Sequence, residues 1–171
     1  MGEKMSKMII MRGLPGSGKS FLARQIYDYL HHKHCYDDGK RPIILSTDDY
    51  FMVGDIYKWD ASLIGAAHKW NQRRVSIVCN LGYNVIVDNT NLTVQEMHPY
   101  LQIANYFEYW VELAVPQTDW AGSTATCTEK TTHNVPYATI VNMHGRFESC
   151  VLPRIRARFP DLHIEDYKNR L

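Results

Sequence analysis

Four short aliphatic runs, Met8–Met11, Ile43–Leu45, Val85–Val87 and Val111–Val115, are separated by stretches whose apolar residues recur every three or four positions. Brief apolar runs bounded by polar turns read as buried strands, and the longer-period stretches read as helices with one apolar face. The stretch Lys19–Leu30 carries Leu22, Ile26, Tyr29 and Leu30 at helical spacing. A longer helix is predicted from Leu63, Ala66, Ala67, Trp70, Arg74, Ile77, Val78 and Leu81 on one face. Gly82 is placed to cap its end, and Trp70 falls on the face assigned to the core. Thr93 followed by Glu96 reads as a capping box opening a third helix. Pro136 opens a fourth, to about Ser149.

Strands and helices that alternate in this way predict an α/β fold, a parallel sheet of about four to five strands flanked by helices. The length of 171 residues fits a single domain over 1–171. Ligands in such folds bind beyond the carboxyl ends of the strands. The tail from 151 to 171, "VLPRIRARFPDLHIEDYKNRL", carries no motif, and its basic segment with Arg154, Arg156 and Arg158 reads as a surface helix.

Composition narrows the class. With 45% apolar and 22% charged residues the chain is an ordinary globular one. Nineteen basic against eighteen acidic residues exclude a strongly basic, non-specific nucleic-acid surface. Cys35, Cys79, Cys127 and Cys150 lack metal spacing and read as free thiols in a reducing compartment. The segment "HHKHC" reads as a polar helix end. Gly2 and Ser6 match the short myristoylation pattern, with no basic cluster to reinforce it. No apolar run approaches a membrane span and no signal peptide is expected, so the expectation is a cytoplasmic protein, with a nuclear one open.

The strongest chemical signal follows the first strand. "GLPGSGKS", Gly13 to Ser20, matches G-x-x-x-x-G-K-[ST] and opens a helix, the context that a phosphate-binding loop requires. Gly13, Gly16 and Gly18 let the backbone turn its N–H groups inward around an anion. Lys19 supplies a point charge to the β- and γ-phosphates, and Ser20 a hydroxyl to Mg²⁺. The cofactor-binding candidates are Gly13, Pro15, Gly16, Ser17, Gly18, Lys19, Ser20 and Phe21, and the implied cofactors are ATP, or another NTP, and Mg²⁺.

The next two strands also end in polar groups at the same edge. "STDDYF" places Asp48 where a carboxylate can face the γ-phosphate and accept the proton of an acceptor hydroxyl. Asp49 points the other way in extended geometry and is expected to orient the following loop. Asp88, in "VDNTNL", stands like an acid that holds Mg²⁺ through water, so the metal candidates are Ser20 and Asp88. Part of "DNTN" can instead be a structural turn. Tyr50, Phe51, Tyr57 and Trp59 either stack on an acceptor base or close a small core under their loop.

Together "RGLPGSGKSFLAR", "STDDYF", "HKWNQRR", "VDNTNL" and "HNVP" resemble the P-loop polynucleotide-kinase family. The likeness is to phage-type 5′-hydroxyl polynucleotide kinases and, more closely, to the kinase-like domain of Nedd-type ubiquitin-ligase-binding proteins. "LAVPQTDW" is also similar to the P-loop domain of 2′,3′-cyclic-nucleotide phosphodiesterases, although no paired H-x-[ST] motifs accompany it. The resemblance implies a P-loop NTPase fold, Asp48 as general base and Asp88 at the transfer site. It further implies a lid over roughly 118–135 that brings cationic side chains over the donor phosphates.

Two positions depart from that pattern. Relatives carry arginines in the lid, where this chain offers Lys130, a poorer clamp because an ammonium cannot grip two oxygens in a planar fork. Phe51 replaces an arginine that holds the acceptor in phage-type enzymes, with Arg73, Arg74 and Arg146 as conceivable substitutes. The resulting expectation is an ATP- and Mg²⁺-dependent kinase acting on a 5′-hydroxyl of RNA, DNA or an oligonucleotide. Asp48, Lys19 and Lys130 are its catalytic candidates, its partners a nucleotide and a nucleic-acid end rather than a membrane. A small-metabolite kinase and a catalytically weak NTP-binding interaction module are the alternatives.

Overall fold

The computed structural model describes residues 5–34 and 40–168, without the side chains of 33 and 34. The chain runs β1 (Lys7–Met11), α1 (Lys19–His34), β2 (Ile43–Leu45), β3 (Met52–Val53), β4 (Ile56–Tyr57), α2 (Ile64–Asn80) and β5 (Val85–Val87). It continues through α3 (Val94–Tyr106), β6 (Trp110–Ala114), α4 (Thr124–Lys130), α5 (Tyr137–Arg146), α6 (Leu152–Arg158) and β7 (Ile164–Asp166). Five strands form one parallel sheet in the order β2-β5-β1-β6-β7, while β3 and β4 make a separate antiparallel hairpin.

Alternation along β1 divides the core. Met8 and Ile10 face a cluster built with Val75 of α2, Leu101 of α3 and Ile155 of α6. Ile9 and Met11 face Ala23 and Ile26 of α1 on the opposite side. Successive strand side chains point to opposite faces, so helices on both faces bury every residue from Met8 to Met11. This fixes β1 at the centre of the sheet, and the loop leaving its carboxyl end lies between β5 and β6. Thr93 caps α3 by accepting from the Glu96 amide at 3.2 Å, while the Glu96 carboxylate accepts from Leu92 N at 2.9 Å. Gly82, at φ +73°, turns the chain after α2 and donates to Cys79 O at 2.9 Å.

Three features correct the sequence reading. The buried line of α2 is Ala67, Asn71, Val75 and Cys79, whereas Leu63, Ile77 and Leu81 are exposed. A buried asparagine sets this face because its amide donates to the Tyr100 hydroxyl at 3.2 Å, and an apolar stripe cannot reveal it. Trp70 is consequently not a core residue. It is half-buried, with its ring edge-on to Tyr50 at 5.5 Å and Arg74 stacked over it at 4.2 Å. The tail is more than a surface helix, since Val151 and Ile155 of the α6 segment are buried and β7 extends the sheet beside β6. The fourth predicted helix, α5, also ends early at Arg146, after the expected Pro136 start.

Among the described residues no helix is long and apolar enough to cross a membrane. Cys79, Cys127 and Cys150 are free thiols. Gly2, Cys35 and the last part of "HHKHC" lie outside the described residues.

Candidate active site

The loop leaving β1 bends through Gly13, Gly16 and Gly18 at φ +142°, +75° and +98°. L-residues with a Cβ rarely adopt such angles, so these glycines permit the tight wrap. Leu22 N donates to Gly18 O at 3.0 Å as the first helical bond of α1, which leaves the preceding first-turn amides without an intrahelical partner. Phe21 therefore has a backbone N–H to offer, while its ring is exposed. Lys19 is 8% exposed and its ammonium donates to Leu14 O at 2.7 Å. Burial lowers its pKa, and the charges of Asp88 and Asp48 oppose that shift. Asp48 is therefore close enough to act on the Lys19 charge.

Ser20 hydrogen-bonds Asp88, whose carboxyl is pushed up by burial against the opposing influence of Ser20 and Lys19. Asp88 Oδ1 and the buried Ser17 Oγ have no hydrogen-bond partner among the described residues. A glycine-lined anion cradle, a buried ammonium and an acid with an unsatisfied oxygen fit a phosphate chain and its cation. The raised carboxyl pKa means that stability from this group is present below its unfolded value and lost as pH rises through the folded value. Above the unfolded pKa of the group, burial of Asp88 thus costs stability. Asp88→Asn is expected to raise the melting temperature of the ligand-free protein while weakening Mg²⁺-dependent ATP binding about 10–100-fold. Calorimetry and titration with and without Mg²⁺ read the two effects separately.

The chain after β2 enters a 3-10 turn, Thr47–Phe51, rather than continuing extended. Ser46 caps it by accepting from Asp48 N at 3.2 Å, and Asp49 accepts from Ser46 N at 3.3 Å. Asp49 also pairs with Arg74 at 2.8 Å, so its role is to hold the loop, as expected for a different reason. Asp48 remains accessible, with its side chain 54% exposed. The backbone beneath it is tied across the sheet edge. Thr47 N donates to Asn89 Oδ1 at 2.9 Å, and Asn89 donates in turn to the Tyr100 hydroxyl at 3.0 Å. Asn91, at φ +42°, donates to Met11 O at 2.8 Å, so both asparagines of "DNTN" bond structurally. The following aromatics form a small core, with Phe51 3% exposed against Tyr50 and Tyr57, while Trp59 stays outside.

The 118–135 segment packs against the outer wall of the phosphate loop. Thr118 Oγ1 donates to Ser17 O at 3.0 Å and Trp120 Nε1 donates to Gly16 O at 3.2 Å. Cys127 is the buried residue of α4. Lys130 stands over the Trp120 ring, its ammonium 4.5 Å from the centroid. Of the three arginines considered as substitutes, Arg74 is paired with Asp49, Arg146 with Glu96 at 3.3 Å, and Arg73 is exposed.

Sequence reading missed Arg12, immediately before the loop. It is 2% exposed, stacks on Phe147 at 4.9 Å, and donates to Asn91 O, Leu92 O and Glu148 O at 3.1, 3.1 and 2.7 Å. Burial lowers its pKa, with Glu148, Asp166 and Glu96 opposing. The only signal in the sequence was a charged residue closing an apolar strand. Arg12→Met removes three hydrogen bonds to backbone carbonyls, of which Leu92 O keeps the Glu148 amide at 2.9 Å, and is expected to cost about 3 kcal/mol, read as a lower denaturation midpoint.

A parallel sheet whose central strand runs into this loop and a helix defines a P-loop nucleotide-binding protein. The match to the AAA domain family spans residues 8–150, and the chain belongs to that family. It is 35% identical over 145 residues to NEDD4-binding protein 2 of Homo sapiens, covering 84% of this chain but 8% of the relative. It is 31% identical over 124 residues to 2′,3′-cyclic-nucleotide 3′-phosphodiesterase of Mus musculus, covering 72% of this chain and 27% of the relative. The chain thus spans a small part of the curated relatives it matches. The structure of the Pnkp1/Rnl/Hen1 RNA repair complex contains a chain with the same fold, at TM-score 0.62 and 18% identity over 92% of this chain and 47% of that one.

Proposed function

We propose that the protein is an ATP-dependent kinase that transfers the γ-phosphoryl group to a 5′-hydroxyl of RNA, DNA or an oligonucleotide. The observation that carries this reading is the accessible Asp48 carboxylate standing close enough to Lys19 and Asp88 to act on both charges. A base and a donor-phosphate clamp then share one sheet edge. The similarity to an RNA repair complex supports the choice of acceptor.

In this reading Lys19 and the loop amides hold the β- and γ-phosphates, and Ser20 with Asp88 hold the cation. Mg²⁺ would supply charge neutralisation on the phosphate oxygens. Asp48 takes the proton of the acceptor hydroxyl as that oxygen forms its bond to the γ-phosphorus. The bond from the γ-phosphorus to the β–γ bridging oxygen breaks, and ADP leaves with that electron pair. Incubation with γ-labelled ATP and 5′-hydroxyl RNA or DNA is expected to label the oligonucleotide, and Lys19→Ala to abolish labelling. Label on gluconate or nucleosides alone would overturn the acceptor assignment.

One observation favours a second reading. Residues 118–133 contain no arginine, and Lys130 is engaged by Trp120. A weakened clamp of this kind suits an NTP-binding interaction module, which would bind ATP and label no acceptor.

A further inference from the structure

Two aromatic rings from separate parts of the chain converge on Asp48. Tyr57 of β4 donates its hydroxyl to Asp48 Oδ1 at 3.3 Å. His133, shortly after α4, brings Nε2 to 3.9 Å from Asp48 Oδ2. The two rings stack on one another, with centroids 4.0 Å apart and planes inclined by 27°. Both carboxylate oxygens are thereby addressed, one from the hairpin and one from the end of the lid.

Core packing does not account for this contact. His133 is exposed and Tyr57 half-buried, so little apolar area is removed from water by the pair. The backbone nevertheless aims the histidine. His133 N donates to Thr131 Oγ1 at 3.4 Å, and Asn134, next in the chain, adopts φ +51°. A left-handed non-glycine residue is a local cost that the surrounding structure must sustain. Burial, followed by the charge and hydrogen bond of Asp48, pushes the Tyr57 hydroxyl up to about 12, so it stays a donor at neutral pH.

The same lid segment is fastened to the phosphate loop through Trp120 and Thr118. The hairpin, in turn, is joined to the turn bearing Asp48 by Lys58 N donating to Phe51 O at 2.8 Å. A continuous chain of contacts therefore runs from the donor-phosphate wall, along the lid, through the ring stack, to the acceptor side.

We propose that the Tyr57–His133 stack is a latch that docks the end of the lid on the β3–β4 hairpin and fixes the Asp48 carboxylate for the acceptor hydroxyl. Tyr57 and His133 are positioning residues in this scheme. The second half of the proposal rests on the kinase reading, whereas the docking half does not.

The test uses the full chain as wild type, His133→Ala, His133→Phe, Tyr57→Phe and Asp48→Asn. Hydrogen–deuterium exchange is followed at 47–58, mant-ATP binding reports the donor site, and transfer to a 5′-hydroxyl oligonucleotide gives kcat and KM. His133→Ala is expected to speed exchange at 47–58 several-fold, and His133→Phe, which keeps a ring, to restore protection. Tyr57→Phe keeps the stack but loses the bond to Asp48. It is expected to retain protection and mant-ATP affinity while kcat falls roughly tenfold, as for loss of one hydrogen bond to a charged group.

Unchanged exchange in His133→Ala overturns the latch, whether or not transfer is detected. Full kcat in Tyr57→Phe, beside an inactive Asp48→Asn, overturns the positioning role and leaves the kinase reading intact. A wild type or an Asp48→Asn variant that contradicts transfer chemistry instead removes the kinase reading and the positioning role with it, and the exchange result alone then decides the docking.

Discussion

Asp48→Asn is expected to lower phosphoryl transfer about 10²–10⁴-fold, the usual worth of a general base, and to leave ATP affinity nearly unchanged. The substitution is nearly isosteric, and the amide oxygen can still accept from the Tyr57 hydroxyl that now bonds the carboxylate. The capping bond through Asp48 N to Ser46 Oγ belongs to the backbone and survives. Thr47, held by Asn89, keeps the turn in place. What disappears is the group able to take a proton, so the loss belongs in kcat rather than in folding or nucleotide binding. Single-turnover labelling of a 5′-hydroxyl oligonucleotide, beside direct ATP titration, separates these quantities. Turnover equal to wild type would remove Asp48 as the base.

The parts of this site that were legible in the sequence are those in which chemistry demands neighbours along the chain. A phosphate cradle needs glycines, a lysine and a hydroxyl within one turn, and "GLPGSGKS" supplies them contiguously. Four strands of the sheet were legible because buried parallel strands are mostly apolar, Glu112 of β6 being the buried exception among them. By contrast, the α2 face was misread because a buried asparagine, Asn71, carries it, its amide nitrogen donating to a tyrosine on a different helix. Asp49 was given an orienting role from extended geometry, yet it reaches that role through a 3-10 turn and Arg74. Trp70 followed the misplaced stripe out of the core. The short strand β7 escaped notice because "IED" presents one apolar residue in three, and pairing with β6 supplies what propensity does not. The Tyr57–His133 contact joins two loops, and neither periodicity nor spacing records a contact of that kind.

Gly16→Ala is expected to separate the lid from the phosphate loop. At φ +75° the new Cβ meets the Cys127 carbonyl oxygen at 2.0 Å and its carbonyl carbon at 2.9 Å. The left-handed conformation alone costs an L-residue roughly 1–2 kcal/mol, and the overlap adds to it. Because the obstructing atoms are backbone, no rotamer relieves them, and α4 must move away or the loop must change shape. Either movement endangers the Trp120 bond to Gly16 O and brings Lys130 away from its position with that ring. We expect a stability loss of about 3 kcal/mol, faster amide exchange across 118–130, and ATP binding weakened at least tenfold. Gly65→Ala, whose Cβ meets nothing within 4 Å, serves as the control and is expected to stabilise by roughly 0.5 kcal/mol. Adding Cys127→Ala to Gly16→Ala removes the thiol but not the carbonyl, so the defect should persist. Rescue by that second substitution would locate the obstruction in the Cys127 side chain and refute a backbone-to-backbone seat for the lid.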